Sequence, residues 1–351
     1  MNGDFNEAVL QIGKEKGIDK AVLIDALEAA LISAYKKNFG SAQNVKITIN
    51  DETGEVHVYA QKKVVDVVED DLLEINIDSA KEISKKYQID DIVDIEVTPK
   101  KFGRIAAQTA KQVVVQKIRE AERGIIYDEF VSKESDLING IVQRKDKQNV
   151  YIDLGKTEAV LGLSEQMPGE TYNFGDRLKL YIVEVKKTTK GPQIIVSRTH
   201  PGLVKRLFEL EVPEIFQGIV EIKSIAREAG SRTKIAVHSV DENVDPTGAC
   251  IGSKGTRVQA IVDELKGEKV DVIKWSKVPE EFIASALSPA KVLNVELFED
   301  ERCARVVVAD YQLSLAIGKE GQNARLAAKL TGWKIDIKSE SQVKDTENII
   351  E

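Results

Sequence analysis

"GACIGSKGTRVQAIVDEL", residues 248–265, sets Gly252 and Gly255 around a Ser-Lys pair and then opens onto a helical pattern. Val258, Ile261, Val262 and Leu265 fall on one stripe at helical spacing, and Thr256 with Gln259 has the form of a capping box. The glycine spacing alone carries little, because 23 glycines in 351 residues produce such pairs by chance. Neither common nucleotide loop fits. A dinucleotide loop G-x-G-x-x-G would need glycine at position 250, which is Cys250. A P-loop would need glycine five residues after Gly248, where Ser253 stands. What remains is a tight helix-turn-helix in which two residues without Cβ let another backbone come close. Amide groups at the start of the second helix then face that backbone, and Lys254 adds a cation, which suits a sugar-phosphate chain.

The pattern occurs twice. Ile251, Gly252 and Gly255 recur as Ile317, Gly318 and Gly321, and Leu265, Gly267, Lys269 and Asp271 recur as Leu330, Gly332, Lys334 and Asp336. Each copy follows a pair of alternating strands, "IVEIKSIAREAGSRTKIAVHSV" and "KVLNVELFEDERCARVVVAD". Each unit therefore reads β-β-α-loop-α-β, with further helices at 202–211 and 280–287. In the second copy the loop is "GKEG": Lys319 suits an anion, whereas Glu320 puts an acid beside the same path. The polar residues of the following helices, Arg257 in the first and Gln322, Asn323 and Arg325 in the second, are the further candidates to reach phosphate or base.

Upstream the chain changes character. Residues 1–40 read as helix, with Val22, Leu23, Ala26, Leu27, Ala30, Leu31 and Ala34 on one face, Lys36 and Lys37 in the last turn and Gly40 as a stop. "VKITINDETGEVHVYAQKKVV" is a hairpin turning at Glu52-Thr53-Gly54, "DSAKEISKKY" a short helix, "DIVDIEVTP" a strand, and a long helix runs from Arg104 to about Phe130. Residues 137–198 hold five short strands punctuated by Gly140, the KDKQN turn, Gly155 and Lys190-Gly191-Pro192, which suggests a small barrel.

These residues carry a resemblance. The paired loops resemble the KH domain, whose GxxG turn clamps about four nucleotides of single-stranded nucleic acid, in the strand-first, type II arrangement. Residues 137–198, on "NGIVQRKDKQNVYIDLG" and "PGETYNFGDRLKLYIVEV", resemble the S1 RNA-binding domain, an OB-type barrel. Such barrels stack bases on exposed aromatics beside cations, for which the candidates are Tyr151, Tyr172, Phe174 and Tyr181 with Arg144, Lys145 and Lys147. With "FGRIAAQTAKQVVVQKIREAER" at 102–123, "GPQIIVSRTHPGLVKRLFELEVPEI" at 191–215, "LSPAKV" at 287–292 and "AIGKEGQNARLAAKLTGW" at 316–333, the whole chain resembles the NusA family of transcription termination/antitermination factors.

The resemblance implies a multidomain α+β protein: an α/β N-terminal domain with a long connecting helix at 1–132, an S1 OB-type β-barrel at 133–200, tandem type II KH domains at 201–276 and 277–345, and an acidic tail at 346–351. It implies a cytoplasmic, non-enzymatic monomer without cofactor, metal or catalytic residue. The expected partners are core RNA polymerase, nascent single-stranded RNA and other Nus factors. The RNA-binding set would be Gly252, Ser253, Lys254, Gly255 and Arg257 with Gly318, Lys319, Glu320, Gly321, Gln322, Asn323 and Arg325. Ending at residue 351, the chain is expected to lack the acidic C-terminal repeats that some members carry.

Composition is compatible with that division. The net charge is −8, but residues 1–132 hold 24 acids against 18 bases, while residues 133–200 hold 11 bases against 9 acids. An RNA site must then be a local basic surface rather than a property of the whole field. Two cysteines and three scattered histidines form no metal-spaced set, and no apolar run reaches the roughly eighteen residues of a membrane helix. The competing reading is an RNA-degrading enzyme or a ribosome-associated protein with the same modules. A nuclease would need a catalytic core larger than the N-terminal segment and would place KH before S1.

Overall fold

The computed structural model describes residues 18–39, 44–49 and 55–343, which fall into two compact units, one ending at Ile126 and one beginning at Tyr127. The residues before 18, Gly40, the turn Glu52-Thr53-Gly54 and the tail 346–351 lie outside the described residues.

In the first unit, α1 (Lys20–Phe39) buries Leu23, Leu27, Leu31 and Tyr35, one residue per turn. Val22, expected on that face, is 51% exposed, because a narrow i, i+4 stripe suffices to cover the sheet. The sheet is built on β2 (Val56–Val65), which pairs antiparallel with β1 (Asn44–Ile49) and parallel with the short β3 (Glu74–Asn76). A short helix, α2 (Ile77–Ile83), is capped by Asn76 and leads to β4 (Ile92–Glu96), which also pairs with β2. The long helix α3 (Phe102–Val131) contributes Phe102, Ala106, Ala110 and Val114 to the core under α1.

The second unit begins with a closed five-strand barrel of order β5-β6-β7-β9-β8: β5 (Leu137–Lys145), β6 (Asn149–Asp153), β7 (Glu158–Gly162), β8 (Arg177–Thr188) and β9 (Gly191–Ser197). Val142, Val150, Ile152, Leu161, Leu180, Ile182 and Ile194 fill it. Gly140 does not break a strand, as its sequence suggested. It lies inside β5, where a Cβ would come within 2.2 Å of the Ile152 methyl, so glycine permits the close crossing of β6. The β8–β9 turn is Thr189-Lys190, with Gly191 and Pro192 already in β9.

Two β-β-α-α-β units follow. The first is introduced by α4 (Pro201–Glu211) and the single turn α5 (Pro213–Phe216), and contains β10 (Val220–Glu228), β11 (Arg232–Ser239), α6 (Pro246–Ile251), α7 (Thr256–Glu264) and β12 (Lys269–Lys274). The second is introduced by α8 (Pro279–Ala286) and contains β13 (Val292–Phe298), β14 (Cys303–Val308), α9 (Leu313–Ile317), α10 (Gln322–Thr331) and β15 (Lys334–Ser339). In both sheets the middle strand pairs antiparallel with the first and parallel with the third.

The units differ on the back of the sheet. One face of the first sheet packs Ile235 and Val237 against Leu207, Phe208, Cys250 and Ile261 of its own helices. The opposite face, through Ala226, Ala236 and Ile273, enters one core with Phe282, Ile283, Leu326 and Ala327 of the second unit. Lys234 is buried there, its ammonium held by Asp271 at 3.0 Å and the Ser288 carbonyl at 2.7 Å. Burial pulls that ammonium below its ordinary value, with Asp271 opposing. The repeat-equivalent positions in the second sheet are Arg305 and Asp336, and both are exposed.

Candidate nucleic-acid interface

Each GxxG segment follows a short helix that ends in isoleucine. At Gly252 the backbone takes φ 75° and ψ 174°, at Lys254 φ 52° and ψ 26°, at Gly255 φ 78° and ψ 14°. The second loop repeats this, with Gly318 at 76° and 171°, Glu320 at 53° and 27°, Gly321 at 73° and 14°. In each, the second glycine's N–H donates to the first glycine's carbonyl at 3.1 Å. The combination at Gly252 and Gly318 is open essentially to glycine alone.

The two glycines of a loop have different tasks. A Cβ on Gly252 would sit 2.8 Å from Arg257 Cγ, and one on Gly318 2.8 Å from Asn323 Cβ. The first glycine therefore lets the following helix pack against the loop. At Gly255 nothing comes nearer than Val258 Cγ1 at 4.0 Å, and at Gly321 the nearest atom is an Arg325 nitrogen at 3.6 Å. This second glycine satisfies the left-handed turn and leaves the outer side of the loop bare. Ser253, Lys254, Lys319 and Glu320 are exposed around it.

Arg257 and Asn323 are repeat-equivalent, and the structure turns both inward rather than toward a ligand. Arg257 Nη1 donates to the Ala249 carbonyl at 2.6 Å and to Glu214 at 2.9 Å. Asn323, 2% exposed, donates Nδ2 to the carbonyls of Ala316 at 3.0 Å and Leu287 at 2.9 Å. Each ties the helix after the loop to the helix before it. Gln322 and Arg325 are engaged as well: Gln322 Nε2 reaches Glu228 at 2.8 Å and Ser231 at 2.7 Å, and Arg325 Nε reaches Glu228 at 3.0 Å. The capping box does not form. Gly255 occupies the cap position without a side-chain bond, and Gln259 donates to Asp263 at 2.8 Å instead.

On the barrel the four aromatics divide evenly. Tyr172 is buried, its hydroxyl accepting from the Met167 N–H and donating to Glu170; burial and that carboxylate push the phenol well above its ordinary value. Tyr181 is buried and stacks on His200 at 4.6 Å. Phe174 is 85% exposed. Arg144 lies 3.6 Å over the half-buried Tyr151 ring, and the Gly175 N–H donates to the Val142 carbonyl, which sets the Phe174 turn beside Arg144's strand. Lys145 and Lys147 are exposed on the same edge of the barrel.

What the sequence did not disclose is the joint between the barrel and the first KH-like unit. Arg198 is fully buried. It pairs with Glu170 at 2.6 Å and Glu264 at 3.1 Å and donates to the carbonyls of Lys179 and Glu264, both at 2.9 Å. The partners stand 28 and 66 residues away, beyond any local pattern. Among the described residues no group of His, Cys, Asp and Glu could hold a metal, and no helix is long and apolar enough to cross a membrane. Cys250 is a packing residue whose thiol burial pushes up to about 12.

A five-strand barrel followed by two strand-first GxxG units defines a multi-module protein of the single-strand RNA-binding class. Comparison with known families agrees module by module. Residues 4–124 match the NusA N-terminal domain, 132–197 the S1 RNA binding domain, 198–275 the NusA-like first KH domain and 279–345 the NusA-like second KH domain. The chain is 63% identical to the transcription termination/antitermination protein NusA of Halalkalibacterium halodurans, over 98% of this chain and 90% of that one. It is 62% identical to that of Bacillus subtilis, over 98% and 93%. The solution structure of the N-terminal domain of NusA from B. subtilis is 58% identical, covering 35% of this chain and 99% of that one with a TM-score of 0.33. The chain belongs to the NusA family of transcription termination/antitermination proteins. These relationships favour the transcription reading over the RNA-degrading or ribosomal alternative.

Proposed function

We propose that the barrel and the two KH-like units form one track for nascent single-stranded RNA, while residues 1–132 dock on core RNA polymerase, alone or with other Nus factors. The protein acts without catalysis, by holding the transcript where pausing, termination or antitermination is decided. The observation that carries this is the pair of loops with matching backbones. Each presents the bare outer side of its second glycine and an exposed lysine, Lys254 or Lys319, at a helix start, in the same unit as a barrel edge bearing Phe174, Arg144 and Lys145. Linked modules raise one another's effective concentration, so no single loop needs a tight grip. Gly252, Ser253, Lys254, Gly255, Gly318, Lys319, Glu320 and Gly321 are the contact residues in this reading. Arg257, Gln322, Asn323 and Arg325 support them from behind.

Gly255→Asp tests the clamp. Aspartate tolerates the left-handed backbone, so the fold survives while a carboxylate enters the phosphate path. Affinity for unstructured RNA should fall by roughly tenfold or more; unchanged affinity in a folded variant would overturn the assignment. Removing residues 1–132 should abolish capture of core RNA polymerase and leave RNA affinity intact. Retained capture would move the polymerase surface elsewhere.

A further inference from the structure

The turn between β10 and β11 reaches beyond its own unit. Glu228, the last residue of β10, accepts hydrogen bonds from Arg325 Nε at 3.0 Å, Arg325 Nη2 at 3.3 Å and Gln322 Nε2 at 2.8 Å, all on α10. The remaining Arg325 nitrogen, Nη1, donates to the carbonyl of Glu320 at 2.6 Å. A line of charge-assisted bonds thus runs from the first KH-like unit to the backbone of the second loop. Its starting point is stiff. Beneath Glu228, the buried Arg227 and Glu268 form a double contact, both bonds at 2.9 Å, and Glu268 also accepts from the Gly230 N–H and the Thr233 hydroxyl. Arg227 Nη1 donates further to the His200 carbonyl at 2.9 Å.

Among the described residues the first loop has no counterpart to this brace from the neighbouring unit. The residue equivalent to Arg325 is Gln259, which bonds Asp263 on its own helix. The asymmetry matches a difference in need. The first loop offers Lys254 to a phosphate, and the second offers Glu320 at the same place. A loop that cannot attract phosphate at that position depends more on its backbone N–H groups. Those groups hold an anion well only if the loop is already in shape when RNA arrives.

We infer that Glu228 is a positioning residue for RNA: through Arg325 it holds the Gly318–Gly321 backbone ready, so that a strand leaving the first loop meets a preformed second one. The inference rests on the reading of both loops as RNA-backbone clamps.

The test uses the full chain and two unstructured RNAs, one of about four nucleotides to fill a single loop and one of roughly twelve to span the modules. Glu228→Ala should weaken the longer RNA by roughly three- to tenfold and leave the shorter one unchanged. It should also shift the amide resonances of Gly318 and Gly321 without moving those of Gly252 and Gly255. Arg325→Lys keeps the charge toward Glu228 and loses the fork that reaches Glu320, so it should reproduce the loss, and the double variant should add nothing further. Equal loss on both RNAs, undisturbed Gly318 and Gly321 amides, or full affinity of Glu228→Ala for the longer RNA would overturn the inference. If Gly255→Asp and Gly321→Asp also leave the longer RNA bound at full affinity, the clamp reading itself fails. If Gly321→Asp weakens it and Glu228→Ala does not, only the role of Glu228 is lost.

Discussion

Lys254 and Glu320 occupy the same place in two loops whose backbone angles nearly coincide, yet one is a cation on a turn latched within its own unit and the other an acid on a turn braced from the neighbouring unit. The shape of the loop is therefore separable from its charge. Shape comes from the glycine pair and from the inward latch, Arg257 in one unit and Asn323 in the other. Charge comes from one exposed side chain with no part in the latch. The sheets teach the same lesson at larger scale. Lys234 and Asp271 are covered by the second unit, whereas the equivalent Arg305 and Asp336 face outward; Arg305 pairs instead with Glu296 at 3.2 Å. One chain topology serves an inner and an outer position because the residues on the back of the sheet differ.

The largest expected effect tests the latches. Asn323→Ala takes the donor from the buried Ala316 carbonyl, while the Leu287 carbonyl keeps the Ala290 N–H, and should cost about 1–3 kcal/mol, read as a lower denaturation midpoint. Arg257→Ala, at a partly exposed site, should cost less; the reverse order would mean the two latches are not equivalent. Next comes exchange of the loop charges. Lys254→Glu should weaken RNA binding and Glu320→Lys strengthen it, each by up to roughly tenfold, with the salt slope shifting by about one for each cation lost or gained. Equal and negligible changes would show that backbone amides alone provide the grip.

The smallest effect is on acid stability. Hydrogen bonds from Arg325 and Gln322 hold the Glu228 carboxyl below the ordinary carboxylate range. A carboxyl lowered by folding stabilises the fold above its unfolded value, and that contribution is lost as pH falls through its folded value. Melting temperature should therefore drop as pH is taken from neutral to below about 4, and Glu228→Gln should flatten part of that drop. An unchanged acid profile would argue that the brace adds nothing to stability.

Much of this molecule was legible in the sequence. The period-two runs around residues 220–239 and 292–308, the apolar stripe after each GxxG and the strand spacing at 137–198 all became the elements they suggested, because local backbone preference and burial agree there. Other points were not legible. Gly140 read as a strand break because the Ile152 methyl that demands glycine is on another strand. Tyr172 and Phe174 sit two residues apart with similar chemistry, and only the barrel's closure sends one inward and leaves the other at the surface. For Arg257, Asn323, Gln322 and Arg325, candidates to reach RNA, only the packing reveals the protein partners each already holds, because polar residues at a helix start look alike whether they face solvent or a carbonyl.

The sequence by itself determined the modules, their order and the two glycine loops, since helix and strand periodicity and left-handed glycine positions are local properties of the chain. The tertiary structure alone decided which polar side chains are spent on the protein. Arg198, Glu228 and Arg325 find partners 28 to 97 residues away. A charge's function depends on what stands within a few ångströms of it, and that distance is set by packing rather than by spacing along the chain.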